Sequence, residues 1–75
     1  MAVFRYETYL KVNAAQRLMG LTQREKQLYK TEAYRRCGHG LTAEQFDDVV
    51  HGLVTEGFCI SNQGPLGAVL LTYVE

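Results

Sequence analysis

The sequence has no lysine or arginine after Arg36, so residues 37–75 contain no strong base. Residues 1–37 carry eight basic and three acidic side chains, a net charge of +5, whereas residues 38–75 carry five acidic side chains and no Lys or Arg, a net charge of −5. The formal net charge of zero therefore conceals two halves of opposite sign. This absence disfavours nucleic-acid binding through the second half, because affinity for phosphates comes largely from Lys and Arg.

Long apolar runs and an export signal are also missing. The longest apolar stretch, residues 67–71, is far shorter than the roughly 20 residues of a membrane span. The first ten residues, MAVFRYETYL, place charges inside their apolar stretch, unlike a signal peptide, so we expect a cytoplasmic protein with no membrane partner. The hydrophobic content of 47% and the single proline predict one folded domain over residues 1–75. A domain of this size is marginally stable alone, which favours a partner or a homodimer.

Cysteine is scarce, with Cys37 and Cys59 the only two thiols. Without a secretory context, we expect both to be reduced and buried rather than bridged. Together with His39 and His51 they are the residue types of a zinc site, but the spacing contains neither C-x-x-C nor H-x-x-x-H. We therefore expect buried thiols, surface imidazoles, no metal and no cofactor.

Residues 2–19 fit two kinds of secondary structure. Apolar and β-branched side chains alternate with polar ones from residue 4 to residue 12, as in a strand. However, helical spacing connects Val3, Tyr6, Leu10, Ala14 and Leu18. We predict a helix over about residues 5–19, ending before Gly20, and keep a strand over residues 3–12 as the alternative.

Two capping boxes predict where the next helices begin. The first, Thr22-Gln-Arg-Glu25, predicts a helix from residue 23 to about residue 37, ended by Gly38. The second, Thr42-Ala-Glu-Gln45, precedes an apolar stripe at helical spacing, which consists of Phe46, Val49, Val50, Leu53 and Val54. We expect Gly57 to end this third helix, with Phe58 completing a Schellman motif.

A β-hairpin is predicted after the third helix. Residues 58–62 and 68–74 have the composition of strands, and residues 64–67, Gly-Pro-Leu-Gly, suit a type I turn. In the first strand we place Phe58 and Ile60 toward the core and Cys59 on the opposite face. The predicted fold class is therefore mainly α with a C-terminal β-hairpin, in the order α-α-α-β-β.

The segment LTAEQFDDVVHGLVTEGFCISNQGPLGAVLLTYVE, residues 41–75, resembles a winged helix-turn-helix domain. It has a capped helix, an apolar exit through Leu53, Val54, Gly57 and Phe58, and then strand, turn and strand. The resemblance covers about half of the chain, matches the rest only in the number of helices, and points to no specific family. It implies a winged-helix-like domain, and in domains of this kind that read DNA the third helix enters the major groove.

The third helix carries acids where a DNA-reading helix carries hydrogen-bond donors. The face opposite its apolar stripe consists of Glu44, Asp47, Asp48, His51, Thr55 and Glu56, and residues 61–67 of the turn contain no cation. Acids near the start of a helix also complement its dipole, so single positions can serve stability alone. The absence of every Lys and Arg nevertheless argues against DNA docking through this surface, and leaves it unneutralised unless the basic helices fold against it.

No pattern of catalytic residues stands out. Asp47 and His51 are four residues apart on one helix face, which predicts a surface ion pair rather than a catalytic dyad. The sequence contains no nucleophile motif, G-x-G-x-x-G or P-loop, so we do not expect an enzyme.

Three hypotheses for function follow from these observations. The first is a small regulatory or adaptor module that binds a protein partner with a basic surface, and could block a nucleic-acid-binding protein; its partner-binding residues would be Glu44, Asp47, Asp48, His51, Glu56 and Leu66. The alternative is a DNA-binding regulator that uses its basic first half, with Arg17, Arg24, Lys26, Lys30, Arg35 and Arg36 as the nucleic-acid-binding residues. Head-to-tail association of the oppositely charged halves is compatible with either.

Overall fold

The structure, a computed structural model, describes residues 5–75. Its helices are α1 (Tyr6–Glu25), α2 (Lys30–Cys37) and α3 (Ala43–Thr55), and its strands are β1 (Gln27–Tyr29), β2 (Cys59–Gln63) and β3 (Val69–Tyr73). A tight turn at Pro65–Gly67 connects β2 and β3. The described residues thus form a small, mainly helical fold with an antiparallel sheet of strand order β1-β3-β2, which is loosely compatible with winged-helix topology.

The first helix is longer than the sequence predicts. Residues 6–12 are helical, so the strand alternative is wrong there, while residues 3 and 4 lie outside the described residues. The predicted end at Gly20 is also wrong, because α1 continues to Glu25 and ends only where Lys26 adopts a φ of 70°. Thr22 is buried within this helix, and its hydroxyl donates to the carbonyls of Leu18 and Met19, at 2.9 and 3.1 Å. A threonine whose hydroxyl bonds back to the preceding turn is compatible with a helix interior and caps nothing.

A short strand replaces the predicted start of the second helix. β1 pairs with β3 in the register Gln27↔Thr72, Leu28↔Leu71 and Tyr29↔Leu70, so α2 begins at Lys30 and not at residue 23. The sheet consequently has three strands rather than the two of a hairpin. Three residues are too short for a periodic pattern, and the pairing joins residues more than 40 positions apart, so local sequence reasoning could not find it.

The third helix is confirmed in its termini and its buried face. The Thr42 hydroxyl accepts from the Gln45 amide at 3.2 Å, and the Gln45 side chain accepts from the Thr42 amide at 2.9 Å, completing the capping box. At the other end, Gly57 adopts a φ of 84°. The amides of Phe58 and Gly57 donate to the carbonyls of Leu53 and Val54, which is the hydrogen-bond pattern of a Schellman motif.

The buried residues form one apolar cluster between the helices and the sheet. Its largest fully buried side chains are Leu18 of α1, Phe46 of α3 and Leu71 of β3, so two helices and the sheet contribute one each. The ring centres of Tyr34, in α2, and Phe46 lie 5.3 Å apart, and the Tyr34 hydroxyl donates a hydrogen bond of 2.6 Å to the Leu41 carbonyl. The connection between α2 and α3 is thereby fixed to the core.

The first strand of the hairpin faces the opposite way from the prediction. Cys59 is 2% exposed, whereas Phe58 and Ile60 are 43% and 49% exposed. Cys59 pairs with Tyr73 and lies on the same face of the sheet as Leu71, which is buried against the helices. The assignment of Phe58 and Ile60 to the core is therefore wrong, because the register places the small thiol on the covered side.

Candidate functional site

The first candidate site is defined by the predicted partner-binding residues, which lie on or next to α3 and at the β2–β3 turn, and we call this set the α3–turn surface. All of its members are exposed: Glu44, Asp47, Asp48, His51, Glu56 and Leu66. Asp47 and His51 line a cavity of about 210 Å³ between α3 and the hairpin, together with Ser61 and Val69. Leu66 lies at the turn and does not line this cavity.

Lysines from the first half of the chain reach the acids of α3. Lys30 Nζ lies 2.6 Å from Asp47 Oδ1, and Lys11 Nζ lies 3.3 Å from Asp48 Oδ2. Two of the acids that the sequence left without a local partner are thus neutralised by helices folded against them. The predicted Asp47–His51 ion pair is wrong, because the Asp47 carboxylate bonds Lys30 instead.

The charge that remains on the α3–turn surface is negative. Within residues 5–75, Glu44, His51 and Glu56 are exposed and make no ion pair or side-chain hydrogen bond. Glu56 borders a second cavity of about 430 Å³ between α1 and α3, whose one cation, Lys11, is already held by Asp48. A ligand that approaches α3 therefore meets free carboxylates and no free ammonium or guanidinium group from the described part of the chain.

Leu66 combines full exposure with an unfavourable backbone conformation. Its side chain is as exposed as in an extended peptide, and its φ and ψ are 59° and 24°. Gly67 follows with a φ of 77°, and the Ala68 amide donates to the Pro65 carbonyl at 3.2 Å, as in a type I′ turn. The predicted type I turn is wrong, since that type needs negative φ at both central residues. A leucine in the left-handed region costs about 1 kcal/mol or more and buries nothing here.

A second candidate site is a basic groove between α1 and α2. It has a volume of about 540 Å³, and its lining includes Arg17, Arg24 and Arg36, the side chains of Gln16 and Gln23, and no carboxylate. Arg36 Nη1 lies 3.3 Å from Glu25 Oε1, while Arg17 and Arg24 make no ion pair within residues 5–75. The groove therefore keeps most of its positive charge.

The structure brings only three of the six predicted nucleic-acid-binding residues together in this groove. The other three form ion pairs elsewhere, Lys26 with Glu75, Lys30 with Asp47 and Arg35 with Glu32. Arg17 and Arg24 are seven residues apart, two turns of one helix, so they share a face of α1. That signal was present in the sequence but was hidden by the prediction of a helix end at Gly20.

The two thiols are free and buried, and neither has the environment of a nucleophile. Burial raises the pKa of Cys37, and the lowering effect of Arg36, Arg17 and Arg24 is smaller than that of desolvation. Burial alone raises the pKa of Cys59. A reactive cysteine needs a lowered pKa, so the geometry offers no activated thiol at either position.

Comparison with known proteins found no significant match: no protein-family model fits the chain, and neither the curated proteins nor the solved structures contain a detectable relative. The structure itself provides two further findings. None of the helices in residues 5–75 is both long and apolar enough to cross a membrane. The same residues contain no group of three or more His, Cys, Asp or Glu side chains arranged to hold a metal ion.

Proposed function

We propose that this chain is a small, non-enzymatic, winged-helix-like module that binds a protein partner with a basic surface through the α3–turn surface. The element order α1-β1-α2-α3-β2-β3, with all three strands in one antiparallel sheet, is loosely compatible with winged-helix topology and supports this assignment. The free acids of α3 and the exposed Leu66 support the choice of a protein over DNA as the ligand of this surface.

The main support for the proposal is that both lysines that reach α3 are already paired with acidic side chains of that helix. Lys30 is held by Asp47 and Lys11 by Asp48, so neither is free to neutralise a phosphate. DNA approaching this face would meet the carboxylates of Glu44 and Glu56 without compensation, at a cost in free energy. A basic protein surface would gain from the same carboxylates.

The chemistry of the partner follows from what the surface exposes. Glu44 and Glu56 would steer a positively charged surface toward α3 and select its orientation, which contributes to association rate and specificity more than to affinity. Leu66 would supply an apolar contact that the isolated chain leaves in water. A module of this kind could occupy the basic groove of a nucleic-acid-binding protein and so inhibit it.

The test compares two variants with the same change in net charge. Glu44→Gln/Glu56→Gln removes the two free acids of α3, and Glu25→Gln/Glu32→Gln removes two acids that lie elsewhere. Binding to a fluorescein-labelled arginine-rich peptide is measured by anisotropy at low salt. We expect the α3 variant to bind about fivefold more weakly, because exposed charge contacts contribute about 0.2–1 kcal/mol each, and the control variant to bind like the wild type. Equal weakening in both variants would show that net charge, and not this surface, attracts the peptide.

A second candidate function is nucleic-acid binding through the basic groove. The specific observation in its favour is that Arg17, Arg24 and Arg36 converge on one groove lined by no carboxylate. A titration of DNA at several salt concentrations tests it, with Arg17→Gln/Arg24→Gln compared with the control Lys26→Gln/Arg35→Gln. If DNA binds there, the groove variant should weaken binding and reduce the slope of log K against log salt by about 2. No binding by the wild type at low salt would exclude this function.

A further inference from the structure

The face of the sheet that points away from the helices carries several large apolar side chains, and no helix of residues 5–75 covers it. Paired residues of an antiparallel sheet lie on the same face, so the register Tyr29↔Leu70 and Ile60↔Thr72 places these four side chains on the face opposite the buried Leu28 and Leu71. Alternation along β2 adds Phe58, and the bond from the Val74 amide to the Phe58 carbonyl at 3.2 Å continues the ladder beyond Tyr73.

The exposure of this outer face is substantial. Tyr29, Ile60, Phe58 and Val74 are 50%, 49%, 43% and 38% exposed. Four large apolar side chains exposed on one face of a small domain indicate an interaction site. The inward prediction for Phe58 and Ile60 failed because this side of the sheet has no helix over it in residues 5–75.

The outer face also lacks charge, although the chain has eight bases and eight acids. Its polar members, Gln27, Asn62 and Thr72, are neutral. At its border, Lys26 Nζ lies 3.1 Å from Glu75 Oε1, and the same ammonium lies 5.1 Å from the centre of the Tyr73 ring. Lys26 and Glu75 therefore neutralise each other within the chain.

The absence of charge makes a second copy of the chain a suitable partner for this face. In a two-fold dimer each patch meets a copy of itself, so a patch of this kind must not carry unpaired charges of one sign. The α3–turn surface and the basic groove both fail this requirement. The outer face of the sheet meets it.

We propose that two copies of this chain associate through the outer faces of their sheets, stacked as in a β-sandwich with Ile60, Phe58 and Tyr29 at the contact. Strands about 4.8 Å apart with a rise of about 3.3 Å per residue give a face of roughly 15 by 17 Å. This is small beside the roughly 800 Å² per partner of a standard interface, so the dimer is weak and depends on concentration. The association leaves α3 and the basic groove exposed, and is independent of the function proposed for them.

Sedimentation equilibrium of the full chain, from about 5 µM to about 1 mM, tests the dimer. Ile60→Glu and Tyr29→Glu each place a buried charge in the interface, and we expect each to raise the dissociation constant at least tenfold. Val12→Glu is the matched control, because Val12 is 50% exposed on α1, away from the sheet. Circular dichroism and urea unfolding check that all three variants fold, which their exposed positions favour.

Salt dependence separates this contact from attraction between the oppositely charged halves. The apolar contact should keep its dissociation constant between 50 and 500 mM NaCl, to within about twofold, whereas head-to-tail charge pairing would weaken steeply. A wild-type chain that stays monomeric to 1 mM overturns the proposal. Self-association that survives both Ile60→Glu and Tyr29→Glu, or that disappears at 500 mM NaCl, overturns it as well.

Discussion

Lys30 donates a hydrogen bond of 2.6 Å to Asp47 and so joins the start of α2 to the exposed face of α3. Two other ion pairs make the same kind of connection between the halves of the chain, Lys11 with Asp48 and Lys26 with Glu75. The opposite charges of the two halves are therefore partly neutralised within the fold. What remains for partners is local, with free carboxylates on α3 and free guanidinium groups between α1 and α2.

A double-mutant cycle measures how much the Lys30–Asp47 pair contributes. The two side chains are 30% and 53% exposed, so solvent screens their attraction. We expect a coupling free energy of about 0.2–1 kcal/mol from urea unfolding of Lys30→Met, Asp47→Asn and the double variant. A coupling near zero would mean that the pair contributes only to the surface charge. Repeating the cycle in 1 M NaCl should reduce the coupling.

Sequence reasoning was most accurate where the determining contacts are local. The ends of α3 depend on residues three to five positions apart, so they can be predicted directly from Thr42, Gln45 and Gly57. Sequence reasoning failed where contacts between residues far apart in the sequence determine the structure. β1 exists because Leu28 pairs with Leu71, and Phe58 faces outward because Cys59 pairs with Tyr73.

The candidate sites could also be predicted only in those features that depend on local sequence. The acids of α3 share a face because of helical periodicity alone, which is visible in the sequence. Their pairing with Lys11 and Lys30 depends on how α1 and α2 pack, and no local pattern contains that information. The basic groove required the true length of α1, because only an unbroken helix aligns Arg17 with Arg24.

Substitution of Leu66 should stabilise the fold. Glycine adopts positive φ without the steric cost that leucine meets there, so we expect Leu66→Gly to raise the free energy of unfolding by about 1 kcal/mol, less the extra entropy of the unfolded chain. Gly67→Ala is the opposite control, because it places a side chain at a φ of 77° and should destabilise. If Leu66→Gly is destabilising, the side chain makes a contact that its full exposure does not suggest. Under the proposed function, Leu66→Gly should also weaken binding to the protein partner.

Substitution by alanine should change the free energy of unfolding in opposite directions at two glycines. A Cβ at Gly38 would lie 2.7 Å from the carbonyl oxygen of Tyr34 and would overlap its ring, which is held by the hydrogen bond to Leu41 and by Phe46. We expect Gly38→Ala to cost about 1–3 kcal/mol, as overpacking does.

The matched control is Gly20→Ala, within α1. A Cβ there meets nothing within 4 Å, and alanine favours the helix by about 0.5–1 kcal/mol, so this variant should be stabilised. Urea unfolding of both variants gives the comparison. A destabilised Gly20→Ala would show that α1 does not run unbroken through residue 20.

Alkaline pH should destabilise the fold through its two buried thiols. Burial raises the pKa of Cys37 and of Cys59 above the ordinary value of 9.0, so the folded chain holds these protons more tightly than the unfolded chain does. Below that value both states carry neutral thiols and the full stability is present. As the pH rises above the ordinary thiol pKa of 9.0, the thiols of the unfolded state lose their protons first. The free energy of unfolding therefore falls until the pH has passed the higher pKa values of the folded state.

Urea unfolding between pH 7 and pH 10.5 measures this loss. The control is Cys37→Ala/Cys59→Ala, which is less stable at neutral pH because of the volume removed but has no thiols to ionise. Its free energy of unfolding should therefore fall less between pH 8 and pH 10 than that of the wild type. Parallel curves would mean that the thiols ionise alike in the folded and unfolded states, and that burial does not hold their protons.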